Sequence, residues 1–319
     1  MRRAGGGSVS PLTFGGVRMS QAVHFYKMTG SGNDFVVLDG RGTGPEEWPP
    51  ERIRAVCDRR MGAGADGLVI LAPEPERGVR MHFYNLDGGR AAMCGNAALC
   101  STALAAHLGL GDAGGMTLST DAGPFRTRVG AAPWTAELNL PDFALPAPVP
   151  GIAPEPGEEE IALATVGVPH LVVLVANVDR VDLGRRGREL RHHPALGPVG
   201  ANANFISPPA RGDGAWRIRT FERGVEGETL ACGTGTVAAA VFTGQRGLGS
   251  LPLRFRSRGG PILEVRAAIG AERASDVWLC GEGRLVYRGE WLESGDASRY
   301  SAGSADPGSG PGGDNPVTQ

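Results

Sequence analysis

Two short stretches carry residue types that can do chemistry: "MCGNAALC" at 93–100 and "ACGTGTVA" at 231–238. Each sets a cysteine, Cys94 or Cys232, directly before a glycine and a polar residue, at the head of an apolar run that reads as a helix. A cysteine at a helix N-terminus faces N–H groups without intrahelical partners and the positive end of the helix dipole. That setting lowers a thiol pKa and brings the thiolate toward neutral pH. Gly95 and Gly233 have no Cβ and let a ligand approach the backbone, while Asn96 and Thr234 add side-chain donors. Each helix start thus offers a base beside an anion pocket suited to a carboxylate. Two such thiols on opposite sides of one carbon suit racemisation or epimerisation. One thiolate takes the α-proton and the other thiol protonates the opposite face. Charge on the carbanion spreads to the carboxylate, where the helix N–H groups stabilise it.

Two other readings use the same residues. A thiol redox protein would join Cys94 and Cys232 reversibly, but would not need two glycine-flanked anion pockets. A non-catalytic amino-acid-binding protein would keep its affinity after Cys→Ser at both positions. Most amino-acid racemases use pyridoxal phosphate bound to a lysine. Here Lys27 is the single lysine, in a strand-like stretch with no phosphate-cradling loop nearby, so the expectation is no cofactor and no metal. Cys57, Cys100 and Cys280 lack the paired context and read as core thiols. Five widely spaced cysteines without CxxC indicate reduced cytosolic thiols rather than a disulfide framework or zinc ribbon. "GTGT" at 233–236 is no P-loop, since no Gly-Lys-Ser/Thr follows.

The elements that must position these cysteines come twice. "SGNDFVVLDG" (31–40) has a counterpart in "GVPHLVVLVA" (167–176), and "GADGLVI" around Asp66 in "GANANFI" around Asn202. "MHFYNLDGG" (81–89) and "RIRTFERGVEG" (217–227) are β-rich runs ending in polar turns, each shortly before a Cys-Gly. "DAGPFRTRV" (121–129) echoes "RGGPILEV" (258–265). Matched landmarks in one order indicate an internal duplication. The expected fold is α+β: two pseudo-symmetric halves, each a mostly antiparallel sheet or barrel around a central helix that starts at a Cys-Gly. The helices should be buried nearly all round, with Gly109 and Gly111, and Gly247 and Gly249, as their stops. Residues 1–21 and 294–319 lack the apolar content to pack and are expected to be disordered. The proline-rich stretch after Leu140 reads as the connection between halves.

Composition excludes some classes. A formal net charge of −2 and 41% hydrophobic residues suggest neither a nucleic-acid partner nor a membrane surface. No apolar run approaches the roughly 20 residues of a membrane span, and the N-terminus lacks the apolar core of a secretory signal.

The motifs "KMTGSGNDFVVLD", "GADGLVIL", "FYNLDGGRAAMCGN", "GVPH", "NANF", "FERGVEGETLACGTGT" and "GEGRLVYRGE" occur in an order that resembles the diaminopimelate epimerase family. The resemblance covers about 22–292. It implies a cofactor-independent isomerase that interconverts LL- and meso-diaminopimelate for lysine and peptidoglycan precursor synthesis. It implies that Cys94 and Cys232 are the acid–base pair and that Gly95, Asn96, Gly233 and Thr234 hold the reacting α-carboxylate. Asn33, Asn85, Asn202, Glu222 and Arg223 match positions around the substrate, with Arg223 on the distal carboxylate, and His170 matches a histidine near the site. A cytoplasmic homodimer is implied, as is a last strand that returns to the first half. The halves are then 22–140 with 282–293, and 141–281. Three positions depart from the family pattern: Val168 where asparagine is common, Ala97 and Leu99 in place of glycine and arginine, and Gly67 where some members carry glutamine. All three departures should bear on which substrate fits. The nearest alternative is a cofactor-independent racemase of another amino acid.

Overall fold

The repeated landmarks become repeated elements. In the computed structural model, which describes residues 22–75 and 78–293, the first set runs β1 (Ala22–Gly30), β2 (Asn33–Asp39), α1 (Pro50–Cys57), β3 (Gly67–Glu74), β4 (Gly78–Asn85), β5 (Arg90–Ala91), α2 (Gly95–His107), β6 (Met116–Thr120), β7 (Gly123–Val129), β8 (Thr135–Leu140) and β9 (Phe143–Ala144). The second set runs β10 (Glu158–Val166), β11 (Val168–Val175), α3 (Arg188–Arg191), β12 (Asn202–Ser207), β13 (Trp216–Glu222), β14 (Gly227–Thr229), α4 (Gly233–Gln245), β15 (Leu253–Arg256), β16 (Ile262–Ile269) and β17 (Arg273–Glu282), and β18 (Arg284–Leu292) closes the chain's described part. Residues 24–291 form one compact unit; of residues 1–23 and 292–319, only Ala22, Val23, Leu292 and Glu293 are described. The terminal segments expected to be disordered lie outside the described residues.

Pairing follows the same rule in each set. β2 is parallel to β3 and β4 to β6; β11 is parallel to β12 and β13 to β15. The other pairs are antiparallel, among them β1–β2, β3–β4 and β6–β7 in the first set and β10–β11, β12–β13 and β15–β16 in the second. Parallel strands need a long crossover, usually a helix, and each of these parallel pairs is spanned by an α-helix: α1, α2, α3 and α4 in turn. β8 and β17, equivalent strands of the two sets, pair antiparallel, with Leu138 opposite Leu279 and Glu137 opposite Cys280. Equivalent strands running antiparallel are related by a local two-fold axis. β18 pairs with β1 of the first set.

α2 and α4 carry apolar residues on every side because sheet surrounds them. Asn96 through Ala105 and Gly235 through Thr243 are buried without interruption. Thr102, Thr236 and Thr243 satisfy their buried hydroxyls by donating to the carbonyl four residues back. Both helices stop alike. Gly109 (φ 67°) and Gly247 (φ 69°) take the left-handed conformation, and the N–H groups of Leu110 and Leu248 reach back to the carbonyls of Ala105 and Thr243 at 2.9 and 3.0 Å.

Candidate active site

Cys94 and Cys232 cap α2 and α4 from extended backbone, with φ of −139° and −132°. One side chain shows how close the two helix starts lie. Leu279 of β17 is buried so that a Cβ on Gly233 would stand 2.8 Å from its Cδ2, and a Cβ on Gly95 3.9 Å. Glu222, at the end of β13, acts electrostatically on both thiols, and Cys94 acts on Cys232. Two cysteines from equivalent places in the two sets therefore share one environment.

The expected fall in thiol pKa is overturned. Burial pushes Cys94 up, although the N–H groups of Ala97 and Asn96 pull it down. Burial and then the Glu222 carboxylate push Cys232 up to about 12, against the Gly235 N–H and the Thr234 hydroxyl, 3.8 Å from the sulfur. Desolvation of a thiolate outweighs the partial charge of a helix end here. A Cys94 thiolate adds a further, smaller push on Cys232.

The second set orients a histidine. The Arg223 N–H donates to Asn202 Oδ1 at 2.7 Å, which turns Asn202 Nδ2 toward His170 Nδ1 at 3.4 Å. Asn204 Nδ2, held by the Leu171 carbonyl at 2.9 Å, faces the same ring nitrogen at 3.3 Å, and its Oδ1 accepts from the Thr220 hydroxyl. With donors on Nδ1, the neutral ring must carry its proton on Nε2, which is buried and has no partner among the described residues. Burial, then the nearby Arg223 cation, holds the His170 pKa down at about 3. Folded His170 stays neutral where an unfolded chain takes up a proton below about 6.5. A depressed folded pKa gives stability that is complete above the unfolded value and lost as pH falls toward 3. Relative to His170→Asn, wild type should lose about 2–3 kcal/mol of urea-measured stability between pH 7.5 and pH 4.5. A pH-independent difference would contradict a neutral buried ring.

Equivalent positions of the first set hold an ion network. Buried Lys27 pairs with Asp34 at 2.7 Å and donates to the Gly64 carbonyl. Arg59 bridges Asp34 and Asp66 at 2.7 and 2.6 Å. Burial raises and the Arg59 and Lys27 cations lower the Asp34 pKa, which settles at about 2. Asp66 accepts from Asn33, and Asn33 accepts from Asn96. Lys27, Asp34, Arg59, Asp66, Asn204, Thr220 and Leu279 were not singled out from sequence as site residues. Lys27, Asp34, Asp66, Asn204 and Thr220 lie within the repeated or family-like motifs, but nothing in "DRRMG" marks Arg59.

Of the candidates, Asn33, Asn96, Asn202 and His170 are joined in hydrogen-bonded chains, and Glu222 and Arg223 follow one another at the end of β13. Burial raises the Glu222 carboxyl above its usual range. No carboxylate among the described residues pairs with the half-buried Arg223 guanidinium. Asn85 ends β4 exposed, without a side-chain hydrogen bond among the described residues. Among them, too, no cluster of three His, Cys, Asp or Glu is arranged to hold a metal. The departures sort by burial. Leu99 is fully buried, its Cδ1 2.9 Å from where a Gly281 Cβ would lie, so it packs the core rather than a ligand. A Cβ at Gly67 would come 2.5 Å from the Tyr84 carbonyl oxygen, which leaves no room there for glutamine. Val168 is half-buried at the start of β11.

A profile of the diaminopimelate epimerase family matches residues 25–132 and 162–271. The chain belongs to that family. A diaminopimelate epimerase from Gemmatimonas aurantiaca is 47% identical over 280 residues, covering 83% of this chain and 98% of the relative. One from Chlorobaculum tepidum is 38% identical over 263 residues, covering 82% and 98%. Solved structures share the fold of this diaminopimelate epimerase family member at low identity. A PhzF-family phenazine biosynthesis protein from Bacillus anthracis superposes with a TM-score of 0.66 at 14% identity, over 85% of this chain and 99% of that one. A hydroxyproline epimerase from Agrobacterium vitis does so at 0.58 and 18%, over 86% and 93%.

Proposed function

We propose that this protein is a diaminopimelate epimerase, interconverting the LL and meso isomers by proton transfer between Cys94 and Cys232. The reading is supported by family membership together with the convergence of both Cys-Gly helix starts on Leu279. The thiolate of one cysteine removes the α-proton while the thiol of the other protonates the opposite face, so the two exchange protonation states in each turnover. A thiolate whose pKa is raised by burial is a strong base, and the same burial keeps its partner protonated, as the reaction requires. N–H groups at the starts of α2 and α4, where Gly95 and Gly233 leave the backbone open, take the reacting carboxylate and the charge that develops on it. Arg223, without a carboxylate of its own, takes the distal carboxylate, with Asn85, Asn202 and Glu222 around that end. His170 offers its Nε2–H within the site. No cofactor is needed for this proton transfer.

The family resemblance supports a homodimer acting in the cytoplasm in lysine and peptidoglycan precursor synthesis. No helix among the described residues is long and apolar enough to cross a membrane. The substrate test is a panel of diaminopimelate stereoisomers and single L-amino acids, including proline, hydroxyproline and histidine, scored for solvent-deuterium uptake at Cα. Uptake confined to the diaminopimelates is expected. Faster uptake by a monocarboxylate would assign the protein to a different racemase activity.

A further inference from the structure

The orientation of the amide beside Cys94 is dictated from a distance. Asp66 Oδ2 accepts from Asn33 Nδ2 at 3.0 Å and from the Asp34 N–H at 3.2 Å, while its Oδ1 accepts from Arg59 at 2.6 Å. A carboxylate only accepts. Asn33 must therefore turn its NH2 to Asp66 and its carbonyl oxygen to Asn96, whose Nδ2 donates to it at 2.7 Å. Asn96 is then left with Oδ1 outward from that bond, buried and without a partner among the described residues, in a residue only 4% exposed. An unpaired buried acceptor is costly to maintain, and this one sits two residues past the Cys94 thiol, on a helix start whose N–H groups are all donors. A carboxylate has no proton to offer Oδ1. The group that has one, at the carbon between the two thiols, is the α-ammonium.

We propose that Asp66 is a positioning residue: through Asn33 it sets the polarity of the Asn96 amide, so that Asn96 Oδ1 receives the α-ammonium group of the reacting centre. The carboxylate is left to the backbone N–H groups, and the two substituents of one carbon are sorted by acceptor and donor. Arg59, braced by Asp34 and Lys27, holds Asp66 in place for this. The inference rests on the reading of the protein as an α-amino-acid epimerase.

Asp66→Asn keeps the shape but not the polarity. An amide at 66 can donate to Asn33, which can then turn over, and Asn96 with it, pointing NH2 at the ammonium. KM for LL-diaminopimelate should rise about tenfold or more, in line with loss of a hydrogen bond to a charged group, with a smaller change in kcat. Inhibition by pimelate, which has both carboxylates and no amino group, should be unchanged. Equal weakening of both ligands would mean that Asp66 only supports the loop and would overturn the proposal. The double variant Asn33→Asp/Asp66→Asn puts an acceptor-only group back beside Asn96 without restoring the carboxylate at 66 that pairs with Arg59. KM should return toward wild type, and failure to do so counts against the relay.

A ligand-free measurement separates the relay from the substrate reading. In ¹⁵N-labelled protein, Asp66→Asn should shift the side-chain amide signals of both Asn33 and Asn96; a shift confined to Asn33 would overturn the relay. Both signals shifting in a protein that leaves diaminopimelate untouched would support the relay and count against the functional reading alone.

Discussion

Cys94→Ser and Cys232→Ser should each abolish epimerisation, yet fail on opposite faces of the substrate. A serine hydroxyl is far too weak an acid to supply a base on its side, so proton removal there should fall on the order of 10³-fold or more. The cysteine that remains still faces one stereoisomer's α-hydrogen. Given a substrate with a halogen at Cβ, that single thiolate can expel halide after taking the proton, with no need of a second acid. Each variant should therefore eliminate halide from one stereoisomer and not the other, with the preference reversed between variants. Halide release and circular dichroism of the remaining substrate read this directly. Equal loss for both isomers in both variants would argue for a single base.

Gly235→Ala should damage the site that Gly95→Ala leaves standing. A Cβ at 235 would lie 2.2 Å from Asn204 Oδ1 and 3.2 Å from the Cys232 sulfur. Asn204 cannot yield without giving up its bonds to the Leu171 carbonyl and the Thr220 hydroxyl, both buried. Each broken buried bond costs about 1–3 kcal/mol, against about 1 kcal/mol gained from alanine's better helix propensity. A net loss of roughly 2–4 kcal/mol should lower the melting temperature by about 5–10 °C. His170 should also lose its fixed ring, and turnover with it. At Gly95 the nearest atom to a new Cβ is Leu279 Cδ2 at 3.9 Å, an ordinary contact. Gly95→Ala should keep its melting temperature while KM rises, since the methyl stands where the carboxylate approaches. Equal melting temperatures for the two variants would contradict the close packing of α4 on Asn204.

Much of this architecture was legible because duplication writes each signal twice. A lone "CGT" means little; with "CGN" at the matching place it marks two helix starts, and Gly109 and Gly247 mark their ends. The parallel pairs that the crossover helices impose are not marked in those landmarks, which suggest mostly antiparallel sheet. What sequence could not display is what forms between distant residues. The β8–β17 ladder that joins the two sets pairs Glu137 with Cys280 through ordinary strand sequence. The Arg59 bridge to Asp34 and Asp66 appears only once α1 packs on β3 and the chain after it returns to β2. The sign of the thiol shift is hidden from sequence for a related reason. A helix start is visible in sequence, whereas the depth of burial that outweighs it depends on the whole enclosing sheet. Leu99, which as a motif departure looked like a change in specificity, proves to be core packing.

Two opposed thiols that exchange protonation states across the α-carbon of diaminopimelate leave an isotopic signature. The most direct test is to incubate purified protein with LL-diaminopimelate in deuterated water and analyse both isomers early, by mass and by chiral separation. Newly formed meso isomer should carry one deuterium at Cα, while unreacted LL isomer should still carry protium. Deuterium appearing equally in both isomers from the outset, or no meso isomer at all, would contradict that exchange.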